Sequence, residues 1–106
     1  MEKPRWFTKF SRKYTLNMKI KLELFGASRD LSSKDYLEFN IDKKSSIKDL
    51  RKKLINYVNN KFKGNNNFKK IVETSAFCSE NNNIVSEDYE IIKDQKIGII
   101  PPIGGG

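Results

Sequence analysis

The chain has 106 residues, a formal net charge of +8, no histidine and a single cysteine, Cys78. That length suits one domain with its own core, and one cysteine excludes an internal disulfide. The missing histidine removes the commonest general base and, with so few thiols, the usual residues for a zinc or iron–sulfur site.

The positive charge is carried by 17 lysines against 4 arginines. Bidentate recognition of phosphates and base edges favours arginine, so a solvated lysine-rich surface is expected, and neither nucleic acid nor a membrane is expected as a partner. No apolar run approaches the ~20 residues of a membrane span, and no signal-peptide core is visible. A reducing, cytoplasmic setting is therefore expected.

Residues 1–17 read as a basic, aromatic extension. Lys3, Arg5, Lys9, Arg12 and Lys13 stand against Glu2 alone, and Trp6, Phe10 and Tyr14 would share one face of a helix. A targeting peptide, a membrane-surface helix and a segment packed on the domain all fit that pattern. The domain proper is expected over 18–106, starting at Met18.

From Met18 the apolar period becomes two. Ile20, Leu22 and Leu24 alternate with Lys19, Lys21 and Glu23, the mark of a half-buried strand. Ala27 to Leu31 fits a short helical turn, and Arg29 with Asp30 a local surface ion pair. Leu37, Phe39 and Ile41 predict a second strand, paired with the first like a hairpin. Ser45 and Ser46 offer an N-cap that Asp49 completes as a capping box. Ile47, Leu50, Leu54, Tyr57 and Val58 then recur at helical spacing over Ser46 to Asn60. Lys48, Arg51, Lys52, Lys53 and Asn56 fall on the wet side.

Asn59 to Asn67, with Gly64, reads as a loop. Ala76 to Cys78 fits a short strand, Asn81 to Asn83 a turn, Ile84 and Val85 a further strand. After Tyr89, Ile91 and Ile92 comes a charged turn at Lys93 to Lys96, and then a last strand, Ile97 to Ile100. Cys78, between apolar neighbours, reads as a buried small hydrophobe rather than a sulfur relay. Phe25, Phe39 and Phe77 are expected in the core, where any exposed member would make an interface anchor. The expected core comprises Ile20, Leu22, Leu24, Leu37, Phe39, Ile41, Leu50, Leu54, Val58, Phe77 and Ile97. Two opening strands, one crossing helix and a returning strand describe an α+β fold, a sheet with its main helix on one face.

The sequence closes on Ile100-Pro101-Pro102-Ile103-Gly104-Gly105-Gly106. The two prolines hold the backbone extended, and three glycines without Cβ atoms give a tip narrow enough to thread a channel. The carboxylate of Gly106 would be ionised at neutral pH.

Three stretches resemble one family, the ubiquitin-like β-grasp sulfur carriers, and among them the small subunit of molybdopterin synthase. They are Ile20 to Leu31, with its aromatic, small residue and Arg-Asp-Leu turn; the helix start over Ser46 to Leu54; and the tail from Lys96 to Gly106. The tail is the most specific, because the family commonly ends in Pro-Pro-Val/Ile-Ser/Thr-Gly-Gly. Gly104 stands where the family usually has a hydroxyl, Asp94-Gln95 replaces a common Gly-Asp turn, and the chain is basic where such subunits are often acidic.

The resemblance implies a β-grasp fold with a flexible diglycine tail. It implies that a ubiquitin-activating-type adenylyltransferase and sulfurtransferase spends ATP to adenylate Gly106, which then carries sulfur as a thiocarboxylate. It further implies that Pro101, Pro102, Ile103, Gly104 and Gly105 guide the tail into a large subunit, in a heterotetramer. There the sulfur passes to cyclic pyranopterin monophosphate during molybdenum cofactor synthesis. On this view the chain supplies a sulfur-bearing group rather than catalytic side chains, and holds no cofactor or metal stably. Carriers for thiamine synthesis or tRNA thiolation, and protein modifiers, share the fold and the glycine end.

Overall fold

In a computed structural model, residues 17–63 and 65–102 are described; the N-terminal extension up to residue 16, residue 64 and residues 103–106 lie outside them. The alternating run gives β1 (Asn17–Leu24), whose even-numbered residues from Met18 to Leu24 are all buried. A 3-10 turn (Gly26–Leu31) leads to β2 (Tyr36–Asp42), antiparallel to β1 with Ile20 opposite Phe39. A two-residue strand, β3 (Ser45–Ser46), precedes the long helix α1 (Ile47–Lys61). The capping box forms as expected: the Asp49 N–H donates to Ser46 Oγ at 3.3 Å, and the Ser46 N–H donates to Asp49 Oδ2 at 2.9 Å. These bonds, the Ser46 backbone N–H foremost, hold the Asp49 carboxyl below its ordinary pKa.

A second helix, α2 (Asn66–Thr74), starts inside the loop expected over Asn59 to Asn67 and runs on through residues to which the sequence pattern assigned no element. Asn65 caps it, accepting from the Phe68 N–H at 3.1 Å. Its apolar residues Phe68, Ile71 and Val72 follow the i, i+3, i+4 spacing of a helix facing a core. The chain continues through β4 (Ala76–Cys78), β5 (Ile84–Val85), β6 (Glu90–Ile91) and β7 (Gln95–Ile100). The main sheet has the order β2-β1-β7-β4-β5, and β3 pairs with β6 separately. β7 runs parallel to β1 and antiparallel to β4, so the sheet is mixed.

The core lies on the inner face of this sheet. Ile20, Leu22, Leu24, Ile97, Ile99 and Phe77 meet Ile47, Leu50, Leu54 and Val58 of α1, all at most 2 % exposed. Met18, Leu31, Val72 and Ile91 join them. Leu37 and Phe39, expected in the core, are only half-buried, because β2 is an edge strand. Phe39 instead meets Tyr57 edge-on, with ring centroids 6.1 Å apart, while the Tyr57 hydroxyl donates to the Leu31 carbonyl at 2.7 Å.

Three more expectations are revised. Phe25 is 46 % exposed rather than buried. It follows Leu24 in a strand whose even-numbered residues point inward, so it must face out. Arg29 and Asp30 are both exposed and form no ion pair with each other; among the described residues the pairs are Arg51–Glu87 and Lys96–Glu23. Arg51 is not on the wet side. Its Nη1 donates to the carbonyls of Val72, Glu73 and Ser75 at 2.7, 3.3 and 2.8 Å, its fork grips the Glu87 carboxylate, and its guanidinium lies 4.8 Å from the Phe77 ring centroid. One side chain thus ties α1 to the end of α2 and the start of β4. The Arg51 bond holds Glu87 below its usual carboxylate range, with burial opposing it.

Candidate functional site: the root of the C-terminal tail

The tail begins at the end of a central strand. β7 is hydrogen-bonded on both sides, with Ile99 level with Leu24 on one flank and Phe77 on the other, and Ile100 opposite Ala76. Pro101 ends the ladder, because it has no N–H to donate. It is buried, with its ring against Gly26: a Cβ on Gly26 would lie 3.8 Å from Pro101 Cδ. Gly26 itself has φ +56°, a left-handed conformation that costs glycine little. The turn after β1 thereby becomes a seat for the first proline, and Pro102 stands exposed beyond it. Of the six tail residues expected at the site, Pro101 and Pro102 are brought to this root. Ile103, Gly104, Gly105 and Gly106 lie outside the described residues.

Beside the root, the outer face of the sheet carries an apolar patch. The row Glu23, Gly98, Cys78, Ile84 crosses β1, β7, β4 and β5 on the face away from α1, followed by Ile100 and Ala76. Gly98 is a notch in this surface. A Cβ there would sit 2.9 Å from Phe25 Cε2 and 2.8 Å from Cys78 Sγ, closer than such atoms approach. The absence of a side chain lets the Phe25 ring and Cys78 Sγ both close in over β7 at this point, and Cys78 is 7 % exposed. Cys78 is therefore a buried packing residue, as its sequence context implies. Phe25 and Ile84, 46 % and 64 % exposed, form the accessible part of the patch. At its far edge Lys96 pairs with Glu23 at 3.6 Å, an exposed contact worth under ~1 kcal/mol.

The arrangement presents an apolar surface beside the root of the tail. Among the described residues there is no cluster of metal-ligating side chains and no helix long and apolar enough to cross a membrane. The face offers an aromatic ring fixed by a glycine notch, a branched apolar neighbour, and a proline-stiffened exit whose direction a central strand sets. Phe25, expected in the core, was missed as an outward residue; the β1 alternation was the signal that could have found it. Gly98 carries no such sequence signal, since its role depends on a ring 73 residues away in the chain.

No family model matches the chain, and no curated protein matches it by sequence. Solved structures do match. A putative molybdopterin converting factor, subunit 1, from Pyrococcus furiosus aligns with 81 % of this chain and 99 % of its own, at 18 % identity and a TM-score of 0.61. SAMP1 from Haloferax volcanii aligns over 83 % of this chain and 99 % of its own, at 11 % identity and a TM-score of 0.59. A Caldiarchaeum subterraneum ubiquitin covers 85 % of this chain and 99 % of its own, at 16 % identity and a TM-score of 0.54. The mixed sheet, the helix on its inner face and the likeness to these structures make this chain a ubiquitin-like β-grasp fold.

Proposed function

We propose that this protein is a sulfur carrier, acting as the small subunit of a molybdopterin synthase. The observation that carries the reading is the root of the tail. Pro101 and Pro102, which lead in sequence into Ile103-Gly104-Gly105-Gly106, follow the central strand directly, with Pro101 seated on the turn after β1, beside a fixed and exposed aromatic ring. The fold shared with the Pyrococcus converting factor subunit supports the same assignment.

The chemistry follows from the electrophile. A carboxylate resists nucleophilic attack because attack adds charge to an anion. The Gly106 carboxylate would first attack the α-phosphorus of ATP in the activating enzyme, releasing pyrophosphate and leaving an acyl adenylate. A sulfur nucleophile then displaces AMP, and the tail carries a thiocarboxylate into the large subunit. Gly105 and Gly106 have no side chain to obstruct either channel, and the prolines lower the entropy lost on capture. Phe25 and Ile84 give the partner an anchor next to the entry point.

A second reading, protein modifier, is favoured by the likeness to the Caldiarchaeum ubiquitin and to the Haloferax volcanii small archaeal modifier protein 1. The two differ in the fate of Gly106: a thiocarboxylate in one, an amide to a lysine of another protein in the other. The test is reconstitution with the activating enzyme and the large subunit from the same source. Deleting Gly106 or adding one residue after it should abolish sulfur transfer and leave the thermal midpoint in place, whereas Gly104→Ser should remain active. A Gly106 deletion that still transfers sulfur rejects the carrier reading.

A further inference from the structure

A groove on the other side of the tail root has no part in the chemistry above. It has a volume of about 300 Å³ and lies between the 3-10 turn, α2 and the two prolines. Buried Pro101 and half-buried Ile71 make its floor; exposed Asn67, Lys70 and Thr74 line it from α2, facing Ala27, and Pro102 closes the tail end. The α2 residues fall at i, i+3, i+4 and i+7, so one stripe of the helix faces the groove. That stripe holds one ammonium group, an amide and a hydroxyl, and no carboxylate. Glu73, the acidic residue of the helix, is not among the lining residues.

We propose that this groove is a second docking point for the large subunit that receives the tail, and that it takes a segment bearing one apolar side chain next to a carboxylate. The inference rests on the carrier reading. Gly106 lies four residues beyond Pro102, and at full extension that stretch spans no more than roughly 14 Å. A partner that encloses Gly106 must therefore come up against Pro102, which is itself a wall of the groove. The volume lies at the lower end of pockets that bind ligands, enough for a branched apolar side chain with its neighbouring backbone. Lys70 is the one formal charge among the described lining residues, and selects a carboxylate at the rim. Contact here and at Phe25 would grip the tail root from both sides, fixing the line along which the glycines enter.

The experiment is calorimetric titration of the full-length chain with the purified large subunit from the same source. Ala27→Trp fills the groove from an exposed position, and Lys70→Glu reverses its charge; Lys52→Glu, exposed on α1 outside the groove, controls for net charge. Thermal melts should show all three folded as in the parent. Ala27→Trp and Lys70→Glu are each expected to weaken binding by about tenfold or more. The Lys70→Glu loss should shrink at high salt, while Lys52→Glu stays within about twofold of the parent. Parental affinity in Ala27→Trp, or a Lys70→Glu effect no larger than that of Lys52→Glu, overturns the groove while leaving the carrier reading intact. A parent chain that does not bind the large subunit rejects the carrier reading, and the groove with it.

Discussion

Replacing Arg51 with alanine should destabilise this fold more than any other single loss of charge. Nη1 carries two hydrogens, so of the three carbonyls it reaches, those of Val72 at 2.7 Å and Ser75 at 2.8 Å take the strong bonds. Both are partly buried, and bonds from a charged donor contribute roughly 1.5–3 kcal/mol each. The stacking on Phe77 adds about 1 kcal/mol at a side chain only 17 % exposed. Glu87, 48 % exposed, adds less than ~1 kcal/mol. Water reaches some of the freed carbonyls, so the sum is an upper bound and a net loss of about 3 kcal/mol is expected. For a domain of this size that lowers the thermal midpoint by roughly 12–24 °C. Arg51→Lys should recover less than half, because an ammonium cannot fork between Glu87 and the helix end. Calorimetry or circular dichroism on Arg51→Ala, Arg51→Lys and Glu87→Gln would measure this. A loss below ~1 kcal/mol in Arg51→Ala would refute the clamp and return Arg51 to the solvated face.

Three shorter predictions test the core, the pH response and the patch. Leu54→Ala removes a fully buried side chain facing the sheet and should cost about 2–5 kcal/mol in chemical denaturation; a change within ~0.5 kcal/mol would reject its inward orientation. Glu87 is held below its ordinary pKa by Arg51, so its contribution is fully present above the unfolded carboxylate range and is lost as pH falls through the depressed folded value. Denaturation between neutral and acid pH should show a stability difference between the parent and Glu87→Gln that closes in acid, and a constant difference would contradict the pairing. Gly98→Val forces a side chain against Phe25 and Cys78; the ring should be displaced, with weaker partner binding and a chemical-shift change at Phe25 by NMR. An unmoved ring would show that the notch does not hold it.

Much of this fold can be read from local pattern. The two-residue period of β1, the Ser46–Asp49 capping box and the apolar stripe of α1 all depend on neighbours within four residues, and all are where the pattern puts them. The α2 helix was hidden by composition. Its cap and first turn lie within an asparagine-rich stretch that also fits a loop, and nine residues give few turns of periodicity. Phe68, Ile71 and Val72 were the available signal. Arg51 could not be read, because its partners are mostly backbone carbonyls 21 to 24 residues away, and every residue type supplies a carbonyl. The tail was legible as a motif and Pro101 and Pro102 as its stiff neck. Its seat on Gly26, the Phe25 patch and the groove beside it arise only when β1, β7 and α2 are brought together.

The central claim concerns one atom at the end of the tail, and the most direct measurement is the intact mass of the full chain purified from its native cell, with fragmentation of the C-terminal peptide. The account predicts a species ~16 Da heavier, one oxygen replaced by sulfur, with the increment confined to Gly106. A chain that carries an unmodified carboxylate there, in cells making the cofactor and with the activating enzyme present, would contradict it.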